Sequence, residues 1–585
     1  MKIFIDEISN VVKNAFEELG YDRDTGKVNI SNRPDLCQFQ CNGALANAKK
    51  FKKLPMIIAN DVLDKLKVNN IFSKIETVAP GFINIDINDE FLICYVNKMN
   101  NVDNYGVSSV SEIKKIVVDY GGANVAKPLH VGHLRPAIIG ESVKRIAKFL
   151  GHNVIGDVHL GDWGLPIGMV IAEVKRRNAS LPYFDDDFTG EYPIEAPFTI
   201  DELEEIYPYA SRLAKSDTLF MEQAKQITAE LQQGKKGYIA LWDHILNVSV
   251  TDLKKNYEAL DVHFELWNGE SDAQKFIPEM IELLKEEGYA KESEGALIFE
   301  VAESEDRSPI PPLLLLKSDG ASLYGTTDLA TVLERVRDMK ADEIIYLADK
   351  RQSLHYKQFF RAAKKSGIAK DTTELSYIGF GTMNGQDGKP FKTRDGGVMR
   401  LSTLIKALQD ASKAKLVNNK SLSEEEIEEI SAKVGLAALK YGDLSNQASK
   451  DYIFDIERFI SFEGNTGPYM LYTIVRIKSI LNKANYINND IKISIPKSDS
   501  ERKLMLQLVK FNETIKLSFK ERAPHRICEF IYELSNCFNK FYNDTQILSE
   551  EDENKKSSWL TLINLVKDVL EQSLNLLGID SVEKM

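Results

Sequence analysis

The residues best suited to chemistry are gathered in one stretch, Asp119-Tyr120-Gly121-Gly122-Ala123-Asn124-Val125-Ala126-Lys127-Pro128-Leu129-His130-Val131-Gly132-His133. His130 and His133 are three apart, a spacing that turns both rings to the same side of a helix's first turn. Gly132 between them leaves room for a flat ring to approach the backbone, and Lys127 adds a fixed positive charge. At a helix start, this group suits the triphosphate of ATP and the negative charge that grows as its α-phosphorus is attacked. The bare pattern also fits half of a metal site, or two polar residues on a wet first turn.

Such chemistry needs a strand, a tight turn and a helix N-terminus to hold it. The run from Ile113 to Val118 predicts the strand, and Gly121-Gly122 breaks it. Pro128 then opens a helical pattern through Ile138, Val143, Ile146 and Leu150. Unpaired backbone N–H groups and the helix dipole favour an anion at that start. Strand and helix patterns alternate to about 400, which predicts an α/β fold with a doubly wound parallel sheet and its ligand at the C-terminal strand ends. Between about 180 and 270 the rhythm changes to long, acidic amphipathic helices, an insertion or helical packing layer. From 401 onward the pattern is almost wholly helical: Val434, Ala438 and Tyr441 precede Gly442, and Met470, Ile474, Ile477 and Leu481 follow Gly467-Pro468. Ahead of the motif, helices over 5–19 and about 40–68 and a strand entered through Val78-Ala79-Pro80-Gly81 make a further α/β unit.

A chain of 585 residues is too long for one core and implies three or four domains. No run approaches the ~20 apolar residues that span a bilayer. Acids at Asp6 and Glu7 stand where a signal peptide would be apolar, so a cytoplasmic protein is expected. The net charge of −13 argues against indiscriminate nucleic-acid binding. It leaves room for a specific RNA partner held by local basic patches, of which Lys49-Lys50-Phe51-Lys52-Lys53 is the clearest; a solvated helix face explains that run equally well. The cysteines (Cys37, Cys41, Cys94, Cys528, Cys537) are scattered. Cys37 and Cys41 lie one helical turn apart, but no second pair follows at zinc-like spacing, so reduced structural thiols and no tightly bound metal are expected.

The eleven residues from Ala123 to His133 resemble the nucleotide-binding signature of class I aminoacyl-tRNA synthetases, in the form found in arginyl-tRNA synthetases. Further segments resemble that family: 33–44, Gly161-Asp162-Trp163-Gly164, Tyr324-Gly325-Thr326-Thr327-Asp328-Leu329-Ala330, Ala348-Asp349-Lys350-Arg351-Gln352-Ser353-Leu354-His355, 462–472 and the terminus 577–585. The resemblance covers nearly the whole chain. It implies an N-terminal tRNA-contacting extension over 1–105 and a Rossmann-like catalytic domain over 106–400 with its insertion. A helical connector over 401–450 and an all-helical anticodon-binding bundle over 451–585 would follow. The implied substrates are L-arginine, ATP with Mg2+ and tRNA, and a monomer is expected.

The resemblance also implies site roles. Lys127, His130, Gly132 and His133 would bind ATP, joined by Lys389, Lys392 and Arg394 from the loop Gly385-Gln386-Asp387-Gly388-Lys389-Pro390-Phe391-Lys392-Thr393-Arg394-Asp395-Gly396-Gly397. Lys127, His130, His133 and Lys392 would stabilise the transition state. A glycine-rich basic loop of this kind can close on phosphates as charge develops. Thr393 holds the place where the class I loop usually has a lysine, and Lys127 is the compensating cation. Arginine recognition asks for carboxylates, because a guanidinium has N–H donors in a plane and no acceptor. The family match assigns Tyr324 and Asp328 to the side-chain pocket, with Asp119 as a further carboxylate and Asn124 and Gln352 for the α-amino and carboxylate groups. Asp328 also reads as a helix N-cap. Trp163 reads as packing and Asp162 stays open. Tyr469, Tyr472 and Arg476 share a face that would stack on bases or pack in the bundle. Two other functions remain: a small-molecule adenylyltransferase, which leaves the helical third idle, and a non-catalytic tRNA-binding relative, which a lost histidine or carboxylate would favour.

Overall fold

The structure, a computed structural model, describes residues 1–318, 320–389, 399–417, 422–487 and 491–585. The chain divides into two compact units, one made of 111–460 with 577–579 and the other of 1–110 with 461–576 and 580–585.

The first unit is built on four parallel strands: β1 (Lys115–Asp119), β2 (Asn153–Asp157), β3 (Glu343–Asp349) and β4 (Glu374–Phe380), in the order β4-β3-β1-β2. Ile116, Val117, Val118, Ile344 and Ile345 are fully buried, as the residues of a parallel sheet covered on both faces must be. Helix α1 (Leu134–Phe149) returns the chain from β1 to β2, whereas β3 and β4 lie on the other side of β1. The winding direction therefore reverses between β1 and β3, and a crevice opens at their C-terminal ends. Asp119 and Asp349 end those two strands.

After α2 (Leu165–Arg177), the long helices α3 (Ile200–Ser216), α4 (Thr218–Gln232) and α5 (Lys236–Ala259) lie where the sequence rhythm changes, over about 180–270. After them the sequence expectation of continued alternation fails. Ala290–Ser293, Ala296–Phe299 and Leu313–Leu316 form a separate antiparallel sheet. It packs its apolar side with α6 (Tyr324–Arg337), α7 (Ser353–Lys365) and the helix Ile277–Glu286 into one core. Beyond 400, α8 (Leu401–Leu416) and α9 (Glu424–Leu444) belong to this same unit. The tie is ionic: Arg135, at the head of α1, donates its Nε–H to Asp443 of α9 at 3.0 Å. Its Nη1 donates to the carbonyls of Gly381 at 2.8 Å and Lys450 at 2.9 Å. Tyr452 donates a further bond to Asp443 at 2.7 Å.

In the second unit, Val28–Ile30, Phe39–Cys41, Phe82–Ile87 and Phe72–Val78 form an antiparallel sheet in that order. The helix expected over 40–68 is two helices, Gly43–Phe51 and Pro55–Leu66, preceded by a strand. The break falls where Lys52 takes a left-handed conformation (φ 52°) and Pro55 restarts the helix. Cys41 lies in a strand and Cys37 in the loop before it, not on a helix turn. Burial pushes the Cys41 thiol up to about 11. In the basic run, Lys50 and Lys53 already pair with Asp22 and Asp61. The C-terminal helices Gly467–Lys483, Asp499–Leu508, Phe511–Lys520, His525–Asp544 and Glu553–Leu576 complete this unit. Arg502 holds Asp89 at 2.6 Å, and Asn512 donates to the Gly106 carbonyl at 2.8 Å. Tyr469, Tyr472 and Arg476 do share a face: the Arg476 guanidinium lies over Tyr472 and Tyr542, and Asn539 bonds both Arg476 and Tyr469.

The Arg135–Asp443 pair is almost wholly removed from water (side chains 2% and 0% exposed). Breaking it from one side strands a buried charge and costs about 3–5 kcal/mol. Asp443→Ala should therefore lower the urea midpoint of the first unit, followed through the fluorescence of Trp163, Trp242 and Trp267. Arg135→Met combined with Asp443→Leu should lower it less, and equal midpoints for Asp443→Ala and the parent chain would contradict this account.

Candidate functional site

The turn after β1 sets the site. Gly121 takes φ 75°, and a Cβ there would meet the rings of Phe264 and Tyr257. The chain then pairs briefly with 161, Val125 donating to the Gly161 carbonyl at 3.1 Å. Ala126, left-handed at φ 61°, is held by the Ser249 hydroxyl on α5. Helix starts here later than the sequence pattern predicts. His130 is the N-cap, Val131–His133 is a single tight turn, and α1 follows from Leu134.

The two rings lie side by side, centroids 3.9 Å apart. Their orientation is set by the backbone: Nδ1 of His130 accepts from the Gly132 amide at 3.0 Å, and Nδ1 of His133 accepts from the His130 amide at 3.1 Å. An Nδ1 that accepts leaves the proton on Nε2 in a neutral ring. Burial, reinforced by His130 and Lys127, pushes His133 down to about 3; burial and then Lys127 also lower His130. Both are thus neutral Nε2–H donors. The expectation that free backbone amides would hold an anion here is overturned. Besides those two amides, that of Val131 donates to the Met399 carbonyl and that of His133 to the His130 carbonyl. With these four amides paired, side chains are the groups left to meet an anion at this turn. Gly132 makes room for its neighbour: a Cβ there would lie 2.8 Å from the His130 ring.

Lys127 stands over the ring of Tyr207 on α3, 4.1 Å from its centroid. The glycine-rich basic loop is anchored at both ends. Before it, Met383–Asn384 pairs with Tyr452–Ile453 and a turn links Gly385, Gly388 and Lys389. After it, the backbone at 399–401 bonds to Leu129 and Val131, with Arg400 bridged to His130. Lys389 is exposed; Lys392, Thr393 and Arg394 lie outside the described residues.

Across the crevice the charge reverses. Tyr324 and Asp328 lie in the first turns of α6, with Tyr324 64% exposed. Asp328 is not the N-cap. Thr326 accepts the Leu323 amide at that end, and the Asp328 carboxylate meets Nε2 of His355 on α7 at 2.5 Å. Glu270, half-buried at the head of the short helix Glu270–Ala273, belongs to the same group. Burial, then the charges of Asp328 and Asp162, push its carboxyl up to about 8. Burial, Glu270, Tyr207 and Asp328 raise the Tyr324 phenol. Asp162 is structural: it accepts the amide and hydroxyl of Ser271, capping that helix. Trp163 packs edge-on against Trp242. Asp119 ends β1 as expected, but its Oδ2 pairs with Nη2 of buried Arg335 at 2.7 Å, a nitrogen it shares with Asp157 at 2.7 Å. Asn124 and Gln352 are exposed at the crevice ends of their segments.

The structure therefore gathers neutral imidazole donors and Lys127 in one group and Asp328, Glu270 and Tyr324 in another, with Tyr207 beside both Lys127 and Tyr324. The first set can hold phosphate and stabilise charge on it; the second can take a guanidinium. Sequence reasoning passed over Glu270, His355, Arg335 and Tyr207. Only His355 carried a signal, within the block around Gln352. Among the described residues no group of His, Cys, Asp and Glu is arranged to hold a metal ion.

Comparison with known proteins agrees with this geometry. The family "tRNA synthetases class I (R), catalytic domain" matches 96–456, "DALR anticodon binding domain" matches 470–585, and "Arginyl tRNA synthetase N terminal domain" matches 4–87. The arginine–tRNA ligase of Alkaliphilus oremlandii is 60% identical and that of Agathobacter rectalis 57%, each aligned over all of both chains. The crystal structure of arginyl-tRNA synthetase from Plasmodium falciparum is similar with a TM-score of 0.83 at 26% identity, covering 100% of both chains. The chain belongs to the class I arginyl-tRNA synthetases.

Proposed function

We propose that the enzyme joins L-arginine to tRNA through an arginyl-adenylate, with the two sides of the β1/β3 crevice dividing the work. The observation that carries this reading is the presence, in one unit, of paired neutral histidines beside Lys127 and of an Asp328–Glu270–Tyr324 group, linked through Tyr207. The arginine carboxylate attacks the α-phosphorus of ATP in line, the α–β bridging bond breaks, and pyrophosphate leaves with the magnesium that accompanied the triphosphate. A terminal ribose hydroxyl of tRNA then attacks the adenylate carbonyl and releases AMP. Positioning and charge stabilisation carry the rate. His130 and His133 present Nε2–H donors to phosphate oxygens, and Gly132 keeps the His130 ring in place. Lys127 supplies the positive charge, supplemented by Lys389, Lys392 and Arg394.

Asp328 takes the guanidinium, oriented beforehand by His355, with Glu270 and Tyr324 beside it. Asn124 and Gln352 serve the α-amino and carboxylate ends. Asp119, paired with Arg335, is the further carboxylate of the arginine site. The 1–105 extension and the 451–585 bundle hold tRNA, with Tyr472 and Tyr542 offering exposed rings beside Arg476. The enzyme acts as a monomer in the cytoplasm; among the described residues no helix is long and apolar enough to cross a membrane.

Charging of tRNA with labelled arginine tests the assignments. Asp328→Asn retains an acceptor for His355 but loses the charge, so the KM for arginine should rise roughly a hundredfold with thermal stability held. Unchanged arginine kinetics would remove Asp328 from the pocket. His133→Ala should slow adenylate formation roughly 10²–10³-fold without matching loss of arginine affinity, measured in a single turnover; equal losses in both would place His133 in folding instead. The pH dependence follows from Glu270. Its carboxyl, up at about 8, is mostly protonated at neutral pH, and a bound guanidinium favours its ionised form. Arginine binding then releases a proton, so affinity strengthens by up to about tenfold per pH unit as pH rises toward 8 and levels above it. Glu270→Gln should flatten that slope in calorimetric titrations.

A further inference from the structure

Two segments of the ATP site reach out to one helix of the insertion. Helix α3 carries Asp201, Glu204 and Tyr207 at three-residue spacing, hence along one stripe. Tyr207 lies under the Lys127 ammonium, 4.1 Å from ring centroid to Nζ. One turn earlier, the Glu204 carboxylate, with 11% of its side chain exposed, forms an ion pair with Arg400, and Asp201 stands 3.7 Å from the same guanidinium. Arg400 is the residue whose backbone bridges His130, just past the glycine-rich loop. Tyr207 also lies close enough to Tyr324 to raise its phenol. One helix face therefore grips the cation before the histidines and the chain that follows the loop.

We propose that α3 positions the triphosphate-binding groups: Tyr207 aims Lys127, while Glu204 and Asp201 hold Arg400 and so fix where the loop rejoins His130. These are positioning residues, acting through Lys127 and Arg400. The chemistry suits the task. An aromatic face attracts an ammonium without neutralising it, so Lys127 keeps its charge for a phosphate. A carboxylate on Lys127 would compete with the nucleotide. For Arg400, whose backbone is the working part, a carboxylate partner carries no such penalty. Pro208, next to Tyr207 inside the helix, lacks the N–H that would bond the Glu204 carbonyl, so the helix is less constrained between its two grips than a regular one.

The inference rests on the assignment of Lys127 to the triphosphate. The test is arginine-dependent ATP–pyrophosphate exchange by the full chain with tRNA present, comparing Tyr207→Leu, Tyr207→Phe, Glu204→Gln, Arg400→Gln and the Glu204→Gln/Arg400→Gln pair. Tyr207→Leu should raise the KM for ATP roughly three- to tenfold while the KM for arginine stays within about twofold of the parent. Tyr207→Phe, which keeps the ring, should restore it. Glu204→Gln and Arg400→Gln should each raise the ATP KM, and the double variant no further, because both remove the same contact. An unaltered ATP KM in Tyr207→Leu, equal rises for ATP and arginine, or Tyr207→Phe as damaged as Tyr207→Leu would overturn the proposal. Failure of the unmutated enzyme to exchange at all would instead defeat the assignment of Lys127 on which it stands.

Discussion

The buried guanidinium of Arg135 ties together the elements that surround the two histidines. It lies two residues beyond His133 and bonds to Asp443 on α9 and to the carbonyls of Gly381 and Lys450. One side chain thus links the helix that carries the histidines, the helix behind it and the segment leading into the glycine-rich loop. Its geometry is demanding because a charge withdrawn from water tolerates few alternative arrangements. The ion pair and its carbonyl partners join α1, α9 and the segment before the glycine-rich loop at one point.

Electrostatics around the crevice is arranged by the same logic of burial. The histidines are desolvated next to Lys127 and are therefore neutral, so they can donate hydrogen bonds without adding to local positive charge. The amides of His130 and Gly132 are satisfied by the imidazoles, that of His133 by the His130 carbonyl and that of Val131 by the Met399 carbonyl. Elsewhere in the unit, Asp119 and Asp157 share one nitrogen of Arg335, and burial, opposed by that guanidinium, pushes the Asp119 carboxyl up. Burial, and then the charges of Asp328 and Asp162, push the Glu270 carboxyl up to about 8.

Much of this was legible beforehand where a local rule sufficed. Ile116, Val117 and Val118 form a continuous apolar run bounded by Gly121-Gly122, and the strand is where it was expected. Tyr324 and Asp328 share a helix face because four residues make about one turn. The helix over 40–68 was misjudged because Phe39–Cys41 is too short a strand to show alternation and Lys52 breaks the helix with an ordinary side chain. The antiparallel sheet of Ala290–Ser293, Ala296–Phe299 and Leu313–Leu316 was missed for a similar reason, since each strand has only four residues.

By itself the amino-acid sequence determined the class of fold, through its alternation of strand and helix patterns, and the pairings of His130 with His133 and of Tyr324 with Asp328, each written in a spacing of about one helical turn. The tertiary structure alone decided which partners those groups keep. Asp328 as a partner of His355 rather than a cap, Asp119 beneath Arg335, Glu270 beside Asp328, and Tyr207 under Lys127 all join residues far apart in the chain. The acid or base strength of such groups depends on burial and on neighbouring charge, and both are set by packing between elements rather than by the order of residues within one.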